Sequence, residues 1–260
     1  QEARDLQQSL VRERFRAFDG GRLSLLLRSS GHVGGDLVGF FPVGERFLGL
    51  FGIDVSGHGI SSALMSTRLA GYLSGSTPDY NIALECDAAG RIVPRSPALV
   101  VAELNALVLR EMETEHYFTM VLGFVDLSTG SVRLTQAGHP HPVVERADGA
   151  VSHEGPGGFP VGLIEGARYD DFDLALAPGD RLMILSDGVT ECPDHRGRLL
   201  GEKGLEAALE RLRGVRDHAF LEALIWELST FAGTEEFPDD VSALVFEYGE
   251  APSAPGPGSG

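Results

Sequence analysis

The sequence predicts an α+β fold built on largely antiparallel sheets. Strand-like runs outnumber helical ones, the strands come in hairpins, and pairs of helices are inserted between groups of strands. A doubly wound parallel sheet would instead alternate single strands with single helices.

Residues 1–16 read as a helix, with Leu6, Leu10 and Val11 on one side and charges elsewhere. Apolar runs over 22–28, 37–43 and 46–53 read as strands. Residues 58–75 read as a helix whose spacing puts Ile60, Ala63, Leu64, Thr67 and Gly71 on one stripe. Its start lies just past the Gly57/Gly59 turn. Residues 76–96 carry Pro78, Gly90 and Pro94 and read as an excursion loop. A second helix covers 97–113, with Val101, Leu104, Val108 and Met112 on one face. Strands follow at 118–126, 131–137, 142–146, 171–176 and 181–186. Their turns are marked by Ser128-Thr129-Gly130, Asp148-Gly149 and Pro178-Gly179-Asp180. Helices at 203–213 and 217–232 come next, the second with a stripe of Leu221, Leu224, Ile225 and Leu228. A last strand covers 241–247. The Pro/Gly/Ser-rich end, 250–260, reads as a disordered tail.

Composition narrows the function. The chain has 260 residues, enough for one large domain, and 43% of them are hydrophobic, enough for a sizeable core. The net charge of −17 disfavours nucleic acid and anionic membrane as partners and suits cations. Cys86 and Cys192 are the only cysteines, which excludes a CxxC zinc site and a disulfide framework and fits a reducing, cytoplasmic setting. No apolar run is long enough for a transmembrane helix. The opening residues are no signal peptide. Starting without Met in a charged helical pattern, they are read as the beginning of a domain cut from a longer protein.

Four acidic positions at strand ends carry the chemistry. Asp36 follows Gly34-Gly35 and opens 37–43. Asp54 closes 46–53 and precedes Val55-Ser56-Gly57-His58-Gly59. Asp187, in Ser186-Asp187-Gly188, closes 181–186, and Asp239, in Asp239-Asp240-Val241, opens 241–247. Such a set resembles an oxygen-ligand cage for hard divalent cations. Each position has a plainer reading: Asp54 as N-cap of the following helix, Gly35-Asp36 and Asp187-Gly188 as turns, Asp239-Asp240 as a solvated strand entry. His139 and His141 form an H-x-H pair that could bind zinc, but no third His or Cys sits at a suggestive spacing, and a local structural role is the simpler reading. His58 reads as structural too. Ser56 lacks the flanking glycine of a nucleophile elbow, and Lys203 lies outside any Walker pattern.

In order, His32–Leu37, Gly52–Gly59, Tyr117–Met120, Gln136–Pro140, Gly158–Leu163, Gly179–Gly188 and Asp239–Val241 resemble the PPM-type metal-dependent protein serine/threonine phosphatases, in the bacterial SpoIIE/RsbU-type branch. The resemblance covers roughly residues 30–247. It implies a four-layer αββα sandwich of two mainly antiparallel sheets flanked by helices. It also implies two Mn²⁺ or Mg²⁺ ions, with Asp54 bridging them, the Val55 carbonyl on one, and Asp187 and Asp239 on the other. Asp36 would act through metal-bound water, Asp240 would support rather than ligate, and a metal-activated water would attack phosphorus. The expected organisation is a linker or regulatory helix over 1–21, a phosphatase domain over 22–249 and the tail. Relatives act on small phosphorylated anti-sigma-factor antagonists and carry an upstream receiver or sensor domain, so the N-terminal helix would relay a signal or pair two subunits. Where the family continues after Asp36 with an aromatic pair and an Asp, this chain has Leu37-Val38-Gly39, which points to weaker metal affinity or an activator. The alternatives are a regulatory or scaffolding module of the same fold, or a zinc hydrolase using His139 and His141.

Overall fold

A computed structural model describes residues 13–31, 34–57, 59–75, 78–111 and 116–249. Its strands are β1 (Phe15–Phe18), β2 (Gly21–Arg28), β3 (Leu37–Val43), β4 (Phe47–Val55), β5 (Leu84–Cys86), β6 (Ile92–Pro94), β7 (Phe118–Asp126), β8 (Ser131–Ala137), β9 (Val143–Glu145), β10 (Val151–His153), β11 (Asp171–Ala175), β12 (Arg181–Leu185) and β13 (Val241–Tyr248). Its α-helices are α1 (Ile60–Tyr72), α2 (Pro97–Glu111), α3 (Asp187–Thr190), α4 (Gly201–Arg211) and α5 (Asp217–Ala232).

The strands form one sheet in the order β1-β2-β13-β12-β9-β10 and a second in the order β11-β8-β7-β4-β3, with β5-β6 as a separate hairpin. Each ladder between paired strands is antiparallel. Side-chain alternation along the strands makes three apolar layers. Leu182, Ile184, Leu244 and Phe246 of the first sheet meet Val38, Leu48, Leu50 and Val121 of the second. The other face of the second sheet, through Phe41, Phe51, Ile53 and Leu122, packs on Met65, Leu69, Val101 and Leu104 of α1 and α2. The other face of the first sheet, through Met183, Leu185, Ala243 and Val245, packs on Leu205, Leu209, Phe220 and Leu224 of α4 and α5. The result is the αββα sandwich expected from the sequence.

Several local expectations change. The helix expected over 1–16 gives way at its end to β1, which pairs with β2 through Phe18↔Gly21; residues 1–12, with Leu6, Leu10 and Val11, lie outside the described residues, as do 250–260. Phe18 stacks edge-on against Phe40, which ties this strand to the sandwich. The loop over 76–96 contains the β5-β6 hairpin, turned by the Asp87 carboxylate accepting from Ala89 and Arg91 backbone N–H groups. Two short elements, β10 and α3, had no sequence signal. Among the described residues no helix is long and apolar enough to cross a membrane.

One charged group sits deep in the sandwich. Arg181 is 1% exposed, pairs with Glu145 at 2.6 Å, and lies over the Phe220 ring at 4.3 Å. Its guanidinium also donates to the Val215 carbonyl, fixing the entry to α5.

Candidate metal centre

Strand pairing brings the acidic positions to one edge. Leu37 pairs with Ile53, so Asp36 and Asp54 flank the same end of the β3–β4 ladder. Leu185 pairs with Ala243, so Asp187 after β12 and Asp239-Asp240 before β13 flank the same end of the other sheet. Parity then aims the side chains. Leu48 and Leu50 face the opposite sheet, and Asp54 shares their face; Asp36 shares the face of Val38. By the same count Ser186, Asp240 and Ser242 face inward from the first sheet. The two ends touch: the Asp36 backbone N–H donates to Asp240 Oδ2 at 3.4 Å.

Burial and mutual repulsion perturb these carboxyls. Asp36 is held well above the usual carboxylate range, first by burial and then by Asp54 and Asp240. Hydrogen bonds from Ser242 and Ser186 oppose that rise. Asp54 is pushed up to about 7 by burial, then by Asp187, Asp239 and Asp240; a hydrogen bond with Asp36 works against it. Asp187 is raised by burial, then by Asp239 and Glu191. Thus Asp36, Asp54, Asp187, Asp239 and Asp240 form one electrostatic cluster. They do not form a closed cage: among the described residues, no group of three or more His, Cys, Asp or Glu is disposed to enclose an ion.

The backbone around the cluster is unusually tight. A Cβ on Gly35 would run into the Val55 carbonyl, and one on Gly188 into the Asp240 carbonyl. Gly34 abuts the Asp240 carboxylate in the same way. These positions take glycine because backbone and carboxyl oxygens occupy the space a side chain would need.

Asp239 and Asp240 differ. Asp240 is 6% exposed, and its Oδ1 accepts from Ser30 N–H at 2.8 Å and Ser30 Oγ at 3.0 Å. With the Asp36 N–H on Oδ2, this carboxylate ties down the segment between β2 and β3. Asp239 is exposed, and its Oδ1 accepts from the Asp240 N–H. The N-cap reading of Asp54 fails, because Asp54 is a β4 residue paired with Thr119 and Gly59 stands at the start of α1.

The histidine pair does not assemble. His139 is buried, with Nδ1 2.9 Å from Thr119 Oγ1, and burial lowers it to about 4. His141 is exposed, with Nδ1 3.1 Å from the Glu154 carbonyl. His58 lies outside the described residues. Sequence reasoning missed Ser30, Ser186 and Ser242. Serine at these positions is an ordinary loop or strand residue, and only parity within paired strands shows that Ser186 and Ser242 face the carboxyls.

The donor atoms gathered at this edge are all oxygen, the chemistry that suits hard divalent cations such as Mn²⁺ or Mg²⁺ better than it suits zinc. The model of the SpoIIE family, Stage II sporulation protein E, matches residues 45–249. The chain is 28% identical over 171 residues to the phosphoserine phosphatase RsbP of Bacillus subtilis, a match covering 63% of this chain and 38% of RsbP. It is 25% identical over 173 residues to the phosphoserine phosphatase RsbU of the same organism, covering 63% of this chain and 48% of RsbU. The matched stretch is therefore less than half of either relative. The SiaA-PP2C domain of Pseudomonas aeruginosa superposes with a TM-score of 0.74 at 20% identity, over 95% of this chain and 94% of that one. At that identity the likeness bears on the fold.

Proposed function

Because this chain belongs to the SpoIIE family, within the PPM-type phosphatase fold, we propose that it hydrolyses phosphoserine or phosphothreonine on a protein, with divalent cations held by the acidic edge. One observation carries the reading: five aspartates from four chain segments gather at facing ends of the two sheets, close enough that burial and repulsion raise Asp36, Asp54 and Asp187.

In this reading the Asp54 carboxylate, the Val55 carbonyl and the Asp187 and Asp239 carboxylates would hold the cations. When bound, the cations supply a water acidic enough to act as nucleophile near neutral pH, and neutralise charge on the phosphoryl oxygens. Asp36 would orient that water, and hydrogen bonds from Ser242 and Ser186 hold Asp36. Asp240 holds the β2–β3 segment that carries Asp36. No phosphoenzyme is needed, and the chain offers no nucleophilic Cys at the site: Cys86 is exposed on β5, and Cys192 is buried in the layer beneath α4 and α5.

Its substrate class is a small phosphorylated anti-sigma-factor antagonist, and its setting the cytoplasm. The names of the relatives RsbP and RsbU, both phosphoserine phosphatases, support the phosphoserine part of this reading. The test is phosphate release from such a phosphoprotein with Mn²⁺, with Mg²⁺ and with excess chelator. Turnover that needs a divalent cation and disappears in Asp54→Asn is expected. Full turnover after exhaustive chelation would overturn the metal mechanism.

A further inference from the structure

His116 joins two parts of the site that the sequence separates by more than fifty residues. Its Nδ1 lies 2.9 Å from the Ser56 carbonyl oxygen, and its Nε2 lies 2.8 Å from Ser61 Oγ. A carbonyl only accepts, so Nδ1 carries a proton, and in the neutral imidazole Nε2 accepts from the Ser61 hydroxyl. One imidazole therefore spans the segment from the end of β4 to the first turn of α1. Gly57 lies beneath it with φ of +84°, and a Cβ there would sit 3.5 Å from His116 Cε1.

The neighbouring residue completes the clamp. The Ser56 N–H donates to the Tyr117 carbonyl at 2.9 Å, and the Tyr117 N–H donates to Ser56 Oγ at 3.1 Å. In a planar trans peptide the N–H and the preceding C=O point in opposite directions. With the Ser56 N–H turned toward Tyr117, the Val55 carbonyl must turn away from β7, toward Gly35. That is where it lies, against the Gly35 Cα. Tyr117 thus sets the plane of the Val55–Ser56 peptide, and His116 sets the next one through the Ser56 carbonyl.

We propose that His116 is a positioning residue for the metal centre: by bridging Ser56 and Ser61 it fixes the turn that aims the Val55 carbonyl. This rests on the reading of Val55 and Asp54 as ligands. Held by two bonds, the turn loses its freedom before a cation arrives, and groups that orient ligands in this way commonly affect metal affinity more than they affect stability.

The experiment is Mn²⁺ titration by calorimetry on the parent, His116→Ala, His116→Asn and Ser61→Ala, with melting temperature and a phosphatase rate at saturating Mn²⁺ beside it. His116→Ala should weaken Mn²⁺ binding roughly tenfold, the lower end of the range for groups that orient metal ligands. His116→Asn, whose amide can still donate to the Ser56 carbonyl, should recover part of that loss, and Ser61→Ala should show a smaller one. The rate at saturating Mn²⁺ should fall by less than the affinity. Unchanged Mn²⁺ affinity in His116→Ala, or equal losses in the Ala and Asn variants, would overturn the proposal and leave the phosphatase reading intact. A parent that binds no Mn²⁺ would overturn both. If His116→Ala did not fold, unchanged affinity in both Ser61→Ala and His116→Asn would count against the proposal.

Discussion

Replacing Asp54 by Asn should stabilise the metal-free protein while abolishing turnover. The carboxyl rises from 3.8 to about 7 because burial, Asp187, Asp239 and Asp240 all oppose its charge. An acid raised in the folded state binds its proton more tightly there than in the unfolded chain. Stability from this group is therefore fully present below pH 3.8 and is lost as pH rises through about 7. At about 1.36 kcal/mol for each pH unit, that rise amounts to at most roughly 4 kcal/mol. Asn is neutral at every pH, nearly the same shape, and keeps an oxygen for Asp36. In excess chelator at pH 7.5 the variant should melt higher than the parent, by up to about 8–16 °C at ~2–4 °C per kcal/mol. At pH 4 the two should nearly coincide. Saturating Mn²⁺ should reverse the order at pH 7.5, since each of the two cations at a hundred times its Kd adds about 2.7 kcal/mol to the state that binds it, together more than the roughly 4 kcal/mol lost to the Asp54 charge. The assay is thermal unfolding by circular dichroism across pH, with chelator and with Mn²⁺. Parallel pH profiles for the two proteins, or a metal-free variant less stable than the parent at pH 7.5, would refute the reasoning.

Asp239→Asn should weaken Mn²⁺ binding with little change in chelated stability, while Asp240→Asn should lower stability by about 1–3 kcal/mol by loosening the Ser30 and Asp36 contacts; calorimetry and urea unfolding on both variants separate the two roles, and equal metal losses would refute the division. Arg181→Ala should cost about 3–5 kcal/mol, because it leaves Glu145 buried without its partner; urea unfolding measures it. Ser66→Ala, which removes the hydroxyl donating to the Gly35 carbonyl, should cost about 1 kcal/mol and raise the Mn²⁺ concentration needed for half-maximal rate. A rate profile against Mn²⁺ checks the second effect.

Much of the fold is legible because strand parity and turn chemistry are local signals. The runs at 118–126 and 131–137 correspond residue for residue to β7 and β8, and 217–232 to α5. The acidic positions stand out because each sits within a Gly-containing stretch or at the head of a strand. Their convergence was not legible, since it depends on which strands pair: only the Leu37↔Ile53 and Leu185↔Ala243 registers bring the four chain segments to one edge. The Ser56–His116–Ser61 bridge was equally hidden. His116 sits in no periodic pattern, and it meets Ser56 only because β4 pairs with β7 in the register that sets Val55 opposite Phe118. β1 was misread because Phe15–Phe18 is short and charged, and gains its order from pairing with β2.

Helix α1 is where the periodicity misled, and the reason is chemical. The stripe of Ile60, Ala63, Leu64, Thr67 and Gly71 looks like a buried face, yet Ile60 is 69% exposed and Leu64 is 61% exposed. The helix buries Ser62, Ala63, Met65, Ser66 and Leu69 instead, a face rotated by about one residue's turn of roughly 100°. Two serines turned inward would be wasteful if the face served only packing. Ser62 Oγ donates to the Gly59 carbonyl and Ser66 Oγ to the Gly35 carbonyl. Gly59 ends the turn after Asp54, and Gly35 precedes Asp36. The inward face of α1 is thus partly spent on holding the two segments that bring Asp36 and Asp54 to the edge. A helix whose orientation follows a site rather than a core gives up apolar burial, and a hydrophobicity pattern alone then points to the wrong face. The same compromise recurs across the sandwich at Asp240, an inward-facing carboxylate on β13's edge that holds Ser30 and Asp36 where packing alone would favour an apolar side chain.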